Sequence, residues 1–179
     1  IFFLEKILHK YLNLLWIKLI WEIKKFMRKF VIVDDVFDNN RLLKLQSLLG
    51  QKNSLPIRFY NKGIENVYKI YVDFLIGIAK DYYDINKYIG YELWSHTNPK
   101  KNLEFHYDKD ELLFKKNNIN SFPLLSIVFY PKISNLKGGR LYLEKDMIIN
   151  PKENRLVLFP EGIYHGTSDY NKDGQRISF

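Results

Sequence analysis

The chain has 179 residues, of which 46% are hydrophobic and 16% aromatic. That is enough for one domain with a real core, and too apolar for an intrinsically disordered segment. There is no cysteine. This excludes a disulfide framework, a thiolate zinc site and a cysteine nucleophile, so any metal must be held by histidine and carboxylate. The lack of cysteine fits a reducing compartment, and a cytoplasmic location is the expectation. The formal charge is +8. It is read as a consequence of a composition rich in Lys, Asn, Ile and Tyr rather than as the mark of a nucleic-acid partner.

Residues 1–26 carry Leu4, Ile7, Leu8, Tyr11, Leu12, Leu15 and Leu19 on one side of a helix. Glu5, Lys6, Lys10, Lys18, Glu22, Lys24 and Lys25 interrupt the apolar run, so it does not read as a transmembrane span. No secretory signal is visible either. Met27 opens MRKFVIVDDVF, which reads as a natural start. Residues 1–26 are therefore expected to form an N-terminal amphipathic helix, either native or an extension upstream of the domain.

The β-branched run 29–33 predicts a strand. Asp38 is placed to cap a helix over 39–49 that Gly50 closes. A second helix is expected over 64–83, with Val67, Ile70, Tyr71, Phe74, Leu75 and Ile78 as its buried stripe. After Gly90 the pattern changes to short β-branched and aromatic runs at 91–97, 103–107, 124–130, 140–143, 147–149, 155–159, 164–168 and 175–179. Asn98-Pro99, Gly138-Gly139, Asn150-Pro151, Pro160-Glu161-Gly162 and Asp173-Gly174 punctuate them. Eight short strands with regular turns predict a sandwich or jelly roll. The expected fold class is thus mainly β with flanking helices: one domain over 27–179, helical over 27–90 and jelly roll over 91–179.

His106-Tyr107-Asp108 carries the first chemistry. Strand side chains alternate between faces, so His106 and Asp108 point the same way and can chelate one metal ion. His165, 57 residues after Asp108, is the third candidate ligand. Two histidines and one carboxylate on one face make the facial triad of non-haem Fe(II) oxygenases, with coordination positions left open. Arg176 follows His165 by 11 residues, across a hairpin turning near Asn171 to Gly174. Its guanidinium is a two-pronged donor for a carboxylate. Ser178 lies two residues on and faces the same side. Taken alone, Arg176 reads rather as a surface ion pair and Gly138-Gly139 as a plain turn. His96 could line the pocket mouth but reads rather as a surface or structural histidine, and His9, in the N-terminal helix, is given no role. Asp110 and Glu111 could orient a metal ligand but read rather as a solvated loop.

Together, H-x-D, a distal His, then Arg-x-Ser resemble the Fe(II)/2-oxoglutarate-dependent dioxygenase superfamily, over roughly 91–179. The nearest likeness is to its prolyl 4-hydroxylase-like branch, which also has an aromatic strand before a Gly-Gly turn, as in Leu125 to Tyr130 before Gly138-Gly139. The resemblance implies a double-stranded β-helix with His106, Asp108 and His165 as catalytic metal ligands. It further implies Fe(II), 2-oxoglutarate and O2 as cofactor and cosubstrates. The distal carboxylate of 2-oxoglutarate would be held by Arg176, with Ser178 and Tyr130 helping and Leu141 lining the pocket. The implied reaction is hydroxylation of an unactivated C–H of a peptide, protein or small molecule, releasing succinate and CO2. The competing reading is a non-catalytic, cupin-like module that binds a metal or ligand.

Overall fold

The structure is a computed structural model that describes residues 30–50, 54–97, 102–144, 146–171 and 174–179. The chain divides into two units between Phe30 and Val31. The second unit, 31–179, is mainly β, with three helices among the described residues. The helix expected over 1–26 lies outside the described residues. No described helix is long and apolar enough to cross a membrane.

Ten strands occur in chain order: β1 (Val31–Val33), β2 (Ser54–Asn61), β3 (Gly90–Thr97), β4 (Leu125–Tyr130), β5 (Lys132–Ser134), β6 (Leu141–Leu143), β7 (Met147–Ile149), β8 (Arg155–Pro160), β9 (His165–Thr167) and β10 (Gln175–Ser178). They pair as β1-β8-β4, β2-β3-β10-β5 and β7-β6-β9. Phe129 and Phe179 exchange two backbone hydrogen bonds of 2.8 Å, which join the first two sheets into one layer. The third sheet gains an irregular edge, because Thr167 donates to the Leu103 carbonyl and His106 bridges His165.

Period two sorts the residues of the larger layer onto two faces. Leu93, Phe129, Leu156, Leu158 and Ile177 share a core with the buried faces of α1 (Asn39–Gly50) and α2 (Lys69–Lys80). Their strand neighbours Ser126, Val128, Tyr130, Val157, Phe159, Arg176 and Ser178 face the opposite way. On that side Ser126 reaches Asp108, and the Phe159 ring lies 4.8 Å from that of His165. One face of the larger layer therefore builds the hydrophobic core, and the other builds a polar interior against the smaller sheet.

The helices show where local pattern was overruled. Helix α1 forms as expected, with the Asp38 carboxylate accepting from the Arg41 backbone N–H at 2.9 Å. Leu42, Leu45 and Leu49 are its buried face. Helix α2 corrects the expected span of 64–83, beginning only at Lys69. Gly63 adopts φ +86°, and the Asn66 side chain accepts from the Tyr68 N–H, so this stretch turns before the helix starts. The buried stripe is accordingly Tyr71, Val72, Leu75, Ile76 and Ala79, while Val67 and Ile70 are exposed.

Three elements were not expected. Strand β2 hides its alternation behind Pro56 and a register shift between Leu55 and Arg58. The short strand β5 pairs with β10. Helix α3 (Glu111–Asn117) replaces the expected loop, its first turn capped by Asp110, which accepts from the Leu113 N–H at 2.7 Å. The expected strand over 103–107 reduces to the bridge at His106.

Asn154 ties the turn before β8 to the entry of α1. It is buried with φ +60°, its carbonyl oxygen accepts from the Phe37 N–H at 2.9 Å, and its amide donates to the Phe37 carbonyl at 2.8 Å. Asn154→Ala leaves both Phe37 backbone groups without their side-chain partners and puts alanine, which tolerates the left-handed region less well than asparagine, at φ +60°. It should destabilise the protein by about 2–4 kcal/mol. Lys152→Ala removes only an exposed pair with Asp34 and should cost less than about 1 kcal/mol. Urea midpoints of the two variants check the contrast, and equal small losses would count against this role for Asn154.

Candidate metal centre

The site is built on a cross-strand pair. The His106 N–H donates to the His165 carbonyl at 2.8 Å, and the His165 N–H donates back at 2.9 Å. Such a reciprocal antiparallel pair sends both side chains to one face. Asp108 is two residues beyond His106 and returns to that face. The Nε2 atoms of His106 and His165 each lie 3.5 Å from Asp108 Oδ1. One ligand atom from each residue falls within 4.8 Å of the others, an arrangement that could hold a metal ion.

The remaining polar atoms of the three side chains are tied back. His106 Nδ1 lies 2.8 Å from the Glu104 carbonyl, and His165 Nδ1 lies 2.9 Å from the Ile163 carbonyl. A carbonyl only accepts, so the proton is assigned to each Nδ1, and each Nε2 presents its lone pair to the centre. Ser126 donates to Asp108 Oδ2 at 2.5 Å, leaving Oδ1 turned towards the histidines. Burial pushes the Asp108 carboxyl up. Without a metal, an imidazole that takes a second proton on Nε2 donates it to Asp108, and hydrogen bonds of this kind from His106 and His165, with that of Ser126, outweigh burial and hold the group well below the usual carboxylate range. The Asp108 hydrogen bond, opposed by burial, raises the His106 imidazole. Side-chain exposure falls from 37% at His106 through 16% at Asp108 to 5% at His165, so the centre opens on the His106 side.

Arg176 is buried on the inner face of β10 and donates from Nη1 to the Gly139 carbonyl at 3.3 Å. Its guanidinium carbon lies 5.2 Å from the centre of the Tyr170 ring. Burial lowers its pKa, against the opposing effects of Tyr130 and Tyr170. Burial pushes the Tyr130 phenol up to about 12, moderated by Arg176. Ser178 is paired directly with His96, which puts His96 on the inner face as well. Burial, then the Arg176 charge, lowers the His96 imidazole. Leu141 is buried and in register with Thr167.

The sequence-predicted residues thus gather in the polar interior: His106, Asp108 and His165 form one cluster, and Tyr130, Leu141, Arg176 and Ser178 lie on the inner faces of their strands. Ser126 and Tyr170 were missed as neighbours of these groups, while His96 takes a place beside Ser178, in line with the less favoured of its two readings. Ser126 and Tyr130 share the period-two face of β4, which is a signal the sequence does contain. Tyr170 has no such signal, because it arrives by an isolated bridge to Gly138. The Gly-Gly pair does more than turn the chain. Gly138 has φ +86°, and a Cβ there would sit 2.1 Å from the Asp169 carbonyl oxygen. Gly139 has φ +64°, and a Cβ there would press on Arg176 Nη1 at 3.4 Å.

The sequence matches no protein-family model and no curated protein. The structure does find similar folds. It resembles a viral collagen prolyl hydroxylase from Paramecium bursaria Chlorella virus-1, solved as a 2-oxoglutarate complex, with TM-score 0.59 and 14% identity over 84% of this chain and 93% of that one. A prolyl-4-hydroxylase from Pseudomonas putida matches with TM-score 0.60 and 15% identity over 84% and 89% of the two chains. A Trichoplax adhaerens prolyl hydroxylase, solved with a hypoxia-inducible-factor peptide, matches with TM-score 0.55 and 13% identity over 88% and 90%. Unit 31–179 of this chain, with its clustered His106, Asp108 and His165, therefore shares the fold of prolyl hydroxylases.

Proposed function

We propose that the chain is an Fe(II)- and 2-oxoglutarate-dependent oxygenase on a jelly-roll domain spanning 27–179, with α1 and α2 as its helical support. In this reading it hydroxylates an unactivated C–H of a peptide, protein or small-molecule substrate. The observation that carries the reading is the triad: two Nε2 lone pairs and one carboxylate oxygen turned to a common point, with every other polar atom of the three side chains bonded elsewhere. That donor set fits iron, which takes imidazole and carboxylate and keeps open positions in a facial triad. His106, Asp108 and His165 would hold it, and when bound it supplies O2 activation and abstraction of a substrate hydrogen.

The protein's own residues bind and orient. The Glu104 and Ile163 carbonyls fix the histidine tautomers, and Ser126 fixes the rotation of the Asp108 carboxylate. Arg176 offers a buried cation for the distal carboxylate of 2-oxoglutarate, with Tyr130 and Ser178 beside it and Leu141 as an apolar wall. Burial by Val157, Phe159 and Leu141 keeps water from this interior, which strengthens each charged contact. The peptide bound to the Trichoplax hydroxylase supports a peptide as the first substrate class to try.

His106→Ala and Asp108→Ala should each abolish succinate release from 2-oxoglutarate and weaken Mn(II) binding measured by calorimetry. Stability should change little in His106→Ala, whose side chain is 37% exposed. Full turnover in His106→Ala would end the oxygenase reading. Metal binding without any 2-oxoglutarate binding in the parent would favour the cupin-like module.

Arg176→Ala leaves the distal carboxylate without its buried partner, a loss of about 3–5 kcal/mol. The 2-oxoglutarate KM should rise at least about a hundredfold. Arg176→Lys should do less harm, since a point charge replaces the fork. Metal affinity should hold in both. A KM within about threefold of the parent in Arg176→Ala would remove Arg176 from the cosubstrate site.

A further inference from the structure

We propose that the open edge beside His106, from Phe105 to Tyr107, binds an extended peptide as an added antiparallel strand and so presents one peptide residue to the metal centre; the inference deepens the oxygenase reading and rests on it. The reciprocal bonds between His106 and His165 turn the N–H and C=O of His106 towards β9. Backbone groups alternate along an antiparallel pair, so those of Phe105 and Tyr107 turn the other way, out of the sheet. None of these four groups has a hydrogen-bond partner among the described residues. The open stretch is short. Past Lys109 the segment is taken, because the Asp110 N–H donates to the Ser121 carbonyl at 2.8 Å.

The side chains on this edge fit a polypeptide. Phe105 and Tyr107 flank His106 and point to the opposite face. The Tyr164 ring lies 5.4 Å from that of Phe105 and 5.0 Å from that of Tyr107, and the Tyr107 ring lies 6.2 Å from that of Phe122. Each of these four rings belongs to a residue that is 43–49% exposed. An edge lined with exposed aromatic rings is a hazard to a protein that leaves it unpaired. Main-chain donors and acceptors at strand spacing match the backbone of an extended peptide, and the rings offer contacts to its alternate side chains. A small molecule would use the rings and leave the backbone groups unmet. The edge is also continuous with the open side of the centre, since His106 is the most exposed of the three ligands at 37%.

Antiparallel addition fixes what each peptide residue meets, and the sheet it extends is antiparallel at both of its ladders. The peptide residue opposite His106, called n, forms the close pair without hydrogen bonds, with Cα atoms about 4.5 Å apart. Its side chain points to the same face as that of His106, towards the triad, while its own N–H and C=O point away from the edge. Residues n − 1 and n + 1 lie opposite Tyr107 and Phe105, exchange main-chain bonds with them and rest their side chains on the rings. Residue n is therefore the one hydroxylated, and its two neighbours carry the recognition.

The probe is a pool of synthetic short peptides of randomised sequence, incubated with the full chain, Fe(II), 2-oxoglutarate and O2. One oxygen atom of O2 enters the peptide C–H and the other enters succinate as CO2 leaves, so tandem mass spectrometry locates residue n by its gain of one oxygen. Apolar or aromatic residues should be enriched on both sides of it, and Tyr107→Ala should flatten the preference at n − 1. Hydroxylated peptides are then remade with single backbone N-methyl groups. N-methylation at n − 1 or n + 1 removes a main-chain donor and should lower kcat/KM about tenfold or more. N-methylation at n should leave it within about threefold of the parent peptide. The proposal is overturned if methylation at n is the more harmful, if all three positions respond alike, or if no peptide is hydroxylated while succinate still forms. A dimer in sedimentation velocity that Tyr107→Lys breaks up would overturn it too, by giving the edge to a second copy of the chain. Where succinate forms, the oxygenase reading outlives each of these results. A chain that forms no succinate under any of these conditions loses both.

Discussion

The site hangs on the reciprocal backbone pair between His106 and His165. These residues are 59 positions apart in sequence, and their two hydrogen bonds set them face to face at a spacing of about 5.5 Å between Cα atoms. A slip of one residue would send every side chain on that edge to the opposite face and disperse the cluster. Two neighbours guard the register. A Cβ on Gly166 would meet the Leu103 carbonyl oxygen and the Phe105 ring at 3.0 Å, so a glycine there lets the edge segment lie close to β9. Thr167 adds a side-chain bond, its hydroxyl accepting from the Leu103 N–H at 2.8 Å.

Much of this was legible because a strand has only two faces. His106 and Asp108 could be placed together from spacing alone, as could Arg176 and Ser178, and the turns after Gly90 marked where most of the strands end. What stayed hidden follows from pairing partners that lie far apart in sequence. Ser126 is an unremarkable strand serine until β4 and the 106–108 segment meet. His96 reads as structural until the register sets it opposite Ser178. The errors in the helical part have a different source. Val67 and Ile70 have the apolar character and spacing of a buried stripe, but the turns at Gly63 and Asn66 delay the helix, and its packed face rotates away from them. Residues 1–26 have the clearest amphipathic pattern in the chain, and they lie outside the described residues.

The two faces of the larger layer make different demands on the same strands. Phe129 is fully buried in the helix-side core while Tyr130, next to it, is buried on the polar side. Leu156 and Val157, Leu158 and Phe159, and Ile177 and Arg176 divide in the same way. The apolar core therefore carries the cost of burying a cation and a carboxylate on the reverse of the sheet. The closing contact of that layer, between Phe129 and Phe179, uses the same strand that presents Arg176 and Ser178.

A buried charge weakens a fold unless it is fully compensated. Asp108 is compensated within the protein, by two imidazoles and a serine. Arg176 is buried too, with the Gly139 carbonyl and the Tyr170 ring among its neighbours. On the proposed reading, ligands complete what the chain begins. The edge segment at 103–108 has no regular strand of its own, so a metal held by His106, Asp108 and His165 would staple it to β9. A carboxylate on Arg176 would neutralise the buried cation. Both bind only the folded state, so each adds stability in proportion to the logarithm of its concentration over its dissociation constant. On that reading, binding at either place tightens the pairing of segments that lie far apart in the sequence.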